Sequence, residues 1–193
     1  KSSMKTFIRV VEVWVPDAEQ SLLEFGGGLY GSAARFGMAS RSMCFGRGEG
    51  LPGRCWDEGR PIVLTELDPS TFRRTEQARA EGLTCGIALP VFAGDMLKAV
   101  FVMFCGDDDE HAGAIELWRN DPAESREMTL DDGYYGTTAD AFEFMSRRTS
   151  FHKGIGLPGM AWESGAPVFL PDLGKSGRFL RADSAIKVGI NRG

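Results

Sequence analysis

The sequence has little histidine, and its cysteines do not have the spacing of a metal site. It contains two His and four Cys among 193 residues, and Cys44, Cys55, Cys85 and Cys105 stand singly in the first half of the chain. Neither a C-x-x-C metal clip nor the disulfide framework of a small secreted domain is indicated. Ser-His-Asp, H-x-x-x-H and P-loop patterns are also missing. The cysteines are expected to be reduced thiols, mostly buried.

Long apolar runs and an excess of positive charge are missing too. The longest apolar stretch, Ala99 to Cys105, fits a buried strand and falls far short of the roughly 18 to 20 residues of a membrane span. The net charge is -5, with both signs interspersed. We therefore expect no membrane insertion and no nucleic-acid partner. The cytoplasm is the default location, and because residue 1 is Lys1 an organellar matrix or stroma is also compatible.

A glycine- and proline-rich motif occurs twice in the chain. The pattern G-x-G-L-P-G-x-x-W-x-x-G-x-P spans residues 48–61 and recurs over residues 154–167, at an offset of 106 with eight identities. Flanking matches join Val11–Trp14 to Ile115–Trp118 at an offset of 104. Repetition at this scale predicts two modules, at residues 1–108 and 109–193.

The second copy lacks the last part of the first. Residues 82–86 match residues 189–193, but the segments Ile87–Phe92 and Met96–Phe104, read as two strands, have no counterpart. Three explanations are open: a longer native chain, which we favour, an ordered region that ends here, or completion of the sheet by another chain.

Apolar patterning predicts the same element order in both modules. Residues 7–15 and 21–30 read as an opening hairpin, and Leu51 starts a short helix that Gly59 ends. Residues 62–67 form a strand, residues 72–81 a helix capped by Ser70 or Thr71, and residues 87–92 and 98–104 a closing hairpin. The fold class is α/β, an α+β sandwich whose sheets are mostly antiparallel. An acidic linker over residues 106–113 joins the modules.

The doubled motif resembles the GAF family. Besides the motif itself, the resemblance rests on a following strand ending in Leu67-Asp68 or Pro171-Asp172-Leu173, and on F-x-R-x-x-x-A-x-x-x-G starting at Phe72. It implies a twisted antiparallel sheet with helices on its faces. Many GAF domains hold a small ligand between sheet and helical loops, and others serve in dimerisation or docking.

The resemblance places a ligand-binding rim in each module. We assign the rim to nine residues that follow from the motif and the segments after it: Trp56, Leu67, Phe72, Glu76, Cys85, Trp162, Asp172, Phe179 and Asp183. The cyclic-nucleotide signature of the family is matched only in part, because Glu76-Gln77 and Asp183-Ser184 replace Asp-Glu and no Asn-Lys pair precedes them. A phenylalanine and an acid one turn apart are more often a core anchor and a solvated charge.

The positions of the histidines and cysteines give little support to a cofactor site. Tetrapyrrole-binding GAF domains need a cysteine near a histidine, but His111 and His152 lie far in sequence from Cys85 and Cys105. A haem would need an axial histidine in an apolar pocket. For a thiol reductase, Cys55 and Cys85 are the candidates, yet structural thiols are the better interpretation. No cofactor is assigned.

The sequence therefore predicts a protein without catalytic activity. The leading hypothesis is a GAF-like sensor or interaction protein that binds a small molecule or dimerises in signalling. The alternative, from another class, is a ligand-free structural subunit docked on a larger complex. A protein partner or a homodimer is expected in both.

Overall fold

The computed structural model describes residues 6–70, 72–106, 113–138, 142–187, 189–190 and 192–193. The chain divides into two compact units, Lys1–Asp107 and Asp108–Gly193, here called unit 1 and unit 2. The predicted mixed α/β class with antiparallel sheets is confirmed. Most of the predicted linker, residues 107–112, lies outside the described residues.

Unit 1 contains an antiparallel sheet with the strand order β3-β2-β1-β6-β5-β4. Three helices contribute to one core with this sheet, through Phe36, Cys55 and Ala78. The elements are β1 (Ile8–Pro16), β2 (Leu22–Leu29), α1 (Ala34–Arg41), β3 (Cys44–Gly46), α2 (Gly50–Glu58), β4 (Ile62–Leu64), α3 (Thr75–Ala80), β5 (Cys85–Ala93) and β6 (Met96–Cys105).

Several predicted elements of unit 1 are present, and others are corrected. Both hairpins form, and Gly59 ends α2 in a left-handed conformation with φ of 64°. The predicted helix over residues 72–81 begins only at Thr75, and Phe72 N–H donates instead to the Asp68 carbonyl at 2.8 Å, ahead of the helix. Ser70 is thus not its N-cap, and Thr71 lies outside the described residues. The strand predicted over residues 62–67 ends at Leu64, the last residue paired with β5.

Two elements of unit 1 were not anticipated, α1 and β3. Helix α1 has eight residues, and Phe36 is its one large buried apolar side chain. Without an apolar face there is little periodicity to identify it. Strand β3 has three residues and pairs with the sheet edge at β2.

Unit 2 has a smaller sheet with the order β7-β8-β9. In the described residues β7 pairs with β8 alone, whereas its counterpart β1 pairs with both β2 and β6. The elements are β7 (Ile115–Arg119), β8 (Met128–Tyr134), a 3₁₀ turn (Gly136–Thr138), α4 (Phe144–Arg147), β9 (Ser150–Phe151), α5 (Gly156–Ser164) and α6 (Ala182–Lys187). No helix in the described residues combines the length and hydropathy of a membrane crossing.

The repeated motif brings the start of a helix against the backbone that precedes it. A Cβ at Gly53 would lie 2.0 Å from the Gly46 carbonyl oxygen, and one at Gly159 would lie 2.2 Å from that of His152. No side chain fits at either position without moving the backbone. The motif is therefore a packing device at the starts of α2 and α5 and not a phosphate-binding loop.

Substituting Gly53→Ala should destabilise unit 1 by about 2 kcal/mol or more, since a main-chain contact must open. Gly27→Ala is the matched control, because a Cβ there has no atom within 4 Å. Urea unfolding followed by tryptophan fluorescence compares the two. Equal midpoints for both variants would contradict the packing role of Gly53.

Candidate functional site

A buried ion pair lies at the centre of unit 1. Arg74, just before α3, points its Nη1 at both carboxylate oxygens of Glu12 on β1, at 2.9 and 2.8 Å. The same nitrogen donates to Ser40 Oγ on α1 at 2.6 Å. The side chains of Arg74 and Glu12 are 1% and 0% exposed. One guanidinium therefore links the central strand to α1 and to the start of α3.

Two aromatic donors complete the shell of the Glu12 carboxylate. Tyr30 OH donates to Oε2 at 2.6 Å, and Trp14 Nε1 donates to Oε1 at 3.2 Å. The Tyr30 ring fits against Gly28 and Gly37, where an added Cβ would approach ring atoms to 2.7 and 2.8 Å. Burial, together with the hydrogen bond to Glu12, raises the pKa of Tyr30. The phenol thus remains a hydrogen-bond donor at neutral pH.

Aromatic rings surround the Arg74 guanidinium. Its Cζ lies between 4.6 and 5.5 Å from the centroids of five rings: Trp14, Phe36, Phe45, Phe72 and Phe104. Nε and Nη2 of Arg74 are buried without a hydrogen-bond acceptor. The ring faces provide cation–π attraction for a cation held away from water. Burial lowers the pKa of Arg74, and the Glu12 carboxylate opposes that shift.

Unit 2 contains the same arrangement. Arg181 Nη1 contacts the Glu116 oxygens at 2.7 and 2.8 Å and Ser146 Oγ at 2.5 Å. Tyr135 OH donates to Glu116 Oε2 at 2.6 Å. The Arg181 Cζ lies 4.7 to 5.5 Å from four rings: Trp118, Phe142, Phe151 and Phe179. The ring that Phe104 of β6 supplies in unit 1 has no counterpart among these contacts.

One side of the unit 2 centre is open. A cavity of about 350 Å³ reaches the ion pair, and its walls come from β7, β8, α5 and the segment after α5: Glu116, Trp118, Met128, Leu157, Pro158, Ala161, Trp162, Val168 and Arg181. The corresponding helix α2 of unit 1 buries Leu51 and Trp56, whereas Leu157 and Trp162 of α5 are half-buried. This cavity is the candidate binding site of unit 2.

A family model for the GAF domain matches residues 4–118. The chain belongs to the GAF domain family. The match covers unit 1 from residue 4 onward and all but the last residue of β7. GAF domains are signalling domains that include sensors and ligand-binding modules. No curated protein matches this GAF chain.

Solved structures similar to this GAF chain share little sequence with it. The A. aeolicus NLH2 GAF domain in an inactive state is 22% identical, over 53% of this chain and 60% of that one, with a TM-score of 0.42. NreA of Staphylococcus aureus, mutated in its nitrate binding site, is 15% identical over 52% of this chain and 74% of that one, with a TM-score of 0.42. Free methionine-R-sulfoxide reductase of Neisseria meningitidis, in complex with its substrate, is 17% identical over 53% of this chain and 57% of that one, with a TM-score of 0.39. The matched region thus spans less than two thirds of the first of these chains.

The structure places the predicted rim residues of this GAF protein in three groups. Phe72 and Phe179 belong to the aromatic cages, and Trp162 lines the unit 2 cavity. Trp56 and Leu67 are buried in the unit 1 core, and Cys85 on β5 is buried outside that core cluster. Glu76, Asp172 and Asp183 are exposed. Within each unit, the predicted rim residues therefore divide between buried and exposed positions.

The charged centre itself was missed by the rim assignment. Glu12 lies between Val11 and Val13 in the sequence, an alternation that fits either a solvated or a helix-covered sheet face, and the structure shows Glu12 fully buried. No local sequence pattern marks Arg74 or Ser40 as part of a buried charged centre. A signal was present nonetheless, because the residues of the centre recur at offsets of 104 to 107: Glu12 and Glu116, Tyr30 and Tyr135, Ser40 and Ser146, Arg74 and Arg181.

The cysteines of the described residues are held as thiols. Cys44 is exposed, while Cys55, Cys85 and Cys105 are buried. Burial raises the pKa of Cys55 to about 12, and the nearby Glu58 carboxylate adds to the shift. A thiol with this pKa is protonated at neutral pH and is a poor nucleophile. Among the described residues, no three His, Cys, Asp or Glu side chains are grouped to hold a metal ion.

Substituting Arg74→Met should cost unit 1 about 3 to 5 kcal/mol, because Glu12 stays buried without its cation. Replacing both partners, Glu12→Gln with Arg74→Met, should cost less than the sum of the single changes. Arg73→Met is the control and should stay within about 1 kcal/mol, since the Arg73 side chain is 48% exposed. Denaturant unfolding measures all four variants, and additive single effects would contradict the coupling.

The raised pKa values of Tyr30 and Tyr135 set the direction of a pH effect. With the folded-state pKa above the ordinary value of 10.0, the stabilisation is fully present below pH 10 and is lost as the pH rises toward the folded-state pKa. The free energy of unfolding should therefore fall as the pH rises above about 10. Tyr30→Phe should make that decline shallower in unit 1. An unchanged slope in Tyr30→Phe would show that this phenol does not titrate with folding.

Proposed function

We propose that this chain is a non-enzymatic GAF protein that acts by binding a protein partner, with two GAF-like modules in tandem. The Arg74 centre is the observation that carries the proposal. In unit 1 the space between sheet and helices, where the family's resemblance places a small ligand, holds the protein's own guanidinium and five aromatic rings. A ligand there would have to displace a buried ion pair. Unit 1 is then a scaffold.

The burial of three of the four cysteine thiols supports the proposal that the protein has no thiol-dependent catalytic activity. The chemistry of a thiol reductase requires an accessible thiolate. Cys55 is fully buried with a raised pKa, and Cys85 is fully buried. Exposed Cys44 lies on the edge strand β3, outside the core cluster. With a net charge of -5, the partner we propose is a protein and not a nucleic acid.

A second candidate function is small-molecule sensing by unit 2. Its cavity of about 350 Å³ has the size of a small-ligand site, with tryptophans on the walls and a cation and an anion at its inner end. This candidate differs from the first in a simple observable, because it requires a bound molecule of low mass.

Native mass spectrometry of the protein purified from its source tests the two functions. We expect stoichiometric protein complexes without a bound small molecule, and no turnover of free methionine sulfoxide with a thiol reductant. A bound small molecule lost in Trp162→Ser but kept in Arg73→Met would instead establish sensing by unit 2. A small molecule lost only in Arg74→Met would refute the scaffold role of unit 1.

A further inference from the structure

Two cysteines of unit 1 face each other across neighbouring strands. Cys85 is the first residue of β5 and Cys105 is the last residue of β6, and the two are register partners in this antiparallel pair. Register partners of an antiparallel pair point to the same face of the sheet. The next pair along the ladder, Gly86 and Phe104, points to the opposite face, where Phe104 belongs to the core cluster. Cys85 and Cys105 therefore lie side by side on the face of the sheet that is turned away from that core.

The spacing of the two positions fits a disulfide bond. Directly opposed residues of an antiparallel pair have Cα atoms about 4.5 to 5.5 Å apart, within the range of about 4.4 to 6.8 Å found in disulfides. Their Cβ atoms are about 4.5 to 5.5 Å apart, whereas a disulfide prefers about 3.5 to 4.5 Å. Closing the bond therefore needs a small movement of the two strand ends toward each other. The resulting strain makes the bond easier to reduce again.

Both thiols are buried, but they lie where the strand ladder ends. Cys85 and Cys105 are 0% exposed. The other register partner of Cys105 is Ile8 of β1, which is 46% exposed, and Thr84, the residue before β5, is exposed. Strand ends open locally at a lower free energy than strand centres. An oxidant of about the size of water can thus reach this pair without global unfolding of unit 1.

The other two cysteines have different surroundings. Cys44 is exposed on the edge strand β3, and its register partner on β2 is Glu24. Cys55 lies on α2 within the core cluster, and its Sγ donates to the Arg60 carbonyl at 3.5 Å. A second thiol thus stands opposite Cys85 but not opposite Cys44, and Cys55 is held on the core side of the sheet.

We propose that Cys85 and Cys105 are an oxidant-responsive pair that forms a reversible disulfide with hydrogen peroxide. One thiol, in its thiolate form, attacks the peroxide, the O–O bond breaks, and a sulfenic acid and a water are formed. The second thiol then attacks the sulfenic sulfur and displaces its oxygen as water. Over both steps the thiols lose two electrons and two protons, and the peroxide is reduced to two waters. The new bond ties the start of β5 to the end of β6.

Peptide mapping of the unmodified chain after peroxide treatment tests this pair. The folded chain is oxidised, its remaining thiols are alkylated, and trypsin then separates Cys85 in peptide 80–98 from Cys105 in peptide 99–119. We expect these two peptides to be joined by a disulfide, in yield at least about tenfold above any other cysteine pair, because the fold holds these two thiols together. Dithiothreitol should separate them again.

The matched control is the same chain oxidised in concentrated urea, where the link should be distributed over several cysteine pairs. Cys44→Ala removes the exposed thiol that can join two chains, and the Cys85–Cys105 link should persist in it with unchanged yield. Unreacted thiols at both positions, or sulfinic and sulfonic acids there without the link, would overturn the proposal. Equal selectivity in the folded and the urea-treated chain would overturn it as well, because the fold would then have no part in the pairing.

Discussion

The requirement to neutralise Glu12 inside an apolar core governs the arrangement of unit 1. An isolated buried carboxylate costs several kcal/mol of desolvation, so each of its lone pairs needs a donor. Arg74, Tyr30 and Trp14 provide those donors, and they come from three separate segments of the chain. Arg74 in turn recruits Ser40 from α1. The positions of α1 and of the start of α3 over the sheet are thus fixed by a few short hydrogen bonds, and not by apolar packing alone.

Arginine is suited to this position in a way that lysine is not. Its planar guanidinium can place one nitrogen on the carboxylate while its faces contact aromatic rings, and it is less strongly hydrated than an ammonium group. The rings close around Arg74 at 4.6 to 5.5 Å. A core built in this way is specific to one arrangement of strands and helices, and the guanidinium and its rings occupy that point of the core.

Sequence patterns predicted those parts of the fold in which the backbone geometry allows only one residue type, such as glycine. The doubled motif follows from helix starts so close to a carbonyl oxygen that an added Cβ would lie 2.0 or 2.2 Å from it, so the glycines are visible as identities. Helix α1 was missed because its apolar face is a single phenylalanine. The charged centre was missed for a different reason. A glutamate in an alternating strand and an arginine before a helix are usually solvated, and their burial depends on contacts 62 residues apart that no local pattern encodes.

The two units compare one charged centre with and without a neighbouring strand equivalent to β6 in the described residues. Arg181 and Glu116 keep the hydrogen bonds of their counterparts, so the pair does not need β6 in order to form. What changes is the surroundings, because four rings contact Arg181 and a cavity reaches the pair. Covering that cavity removes water from a partly solvated ion pair, which is unfavourable unless the cover supplies compensating contacts. An aromatic ring over the guanidinium provides them, whereas a purely aliphatic cover does not. The charge of Arg181 thus favours an aromatic group over an aliphatic one at the mouth of this cavity.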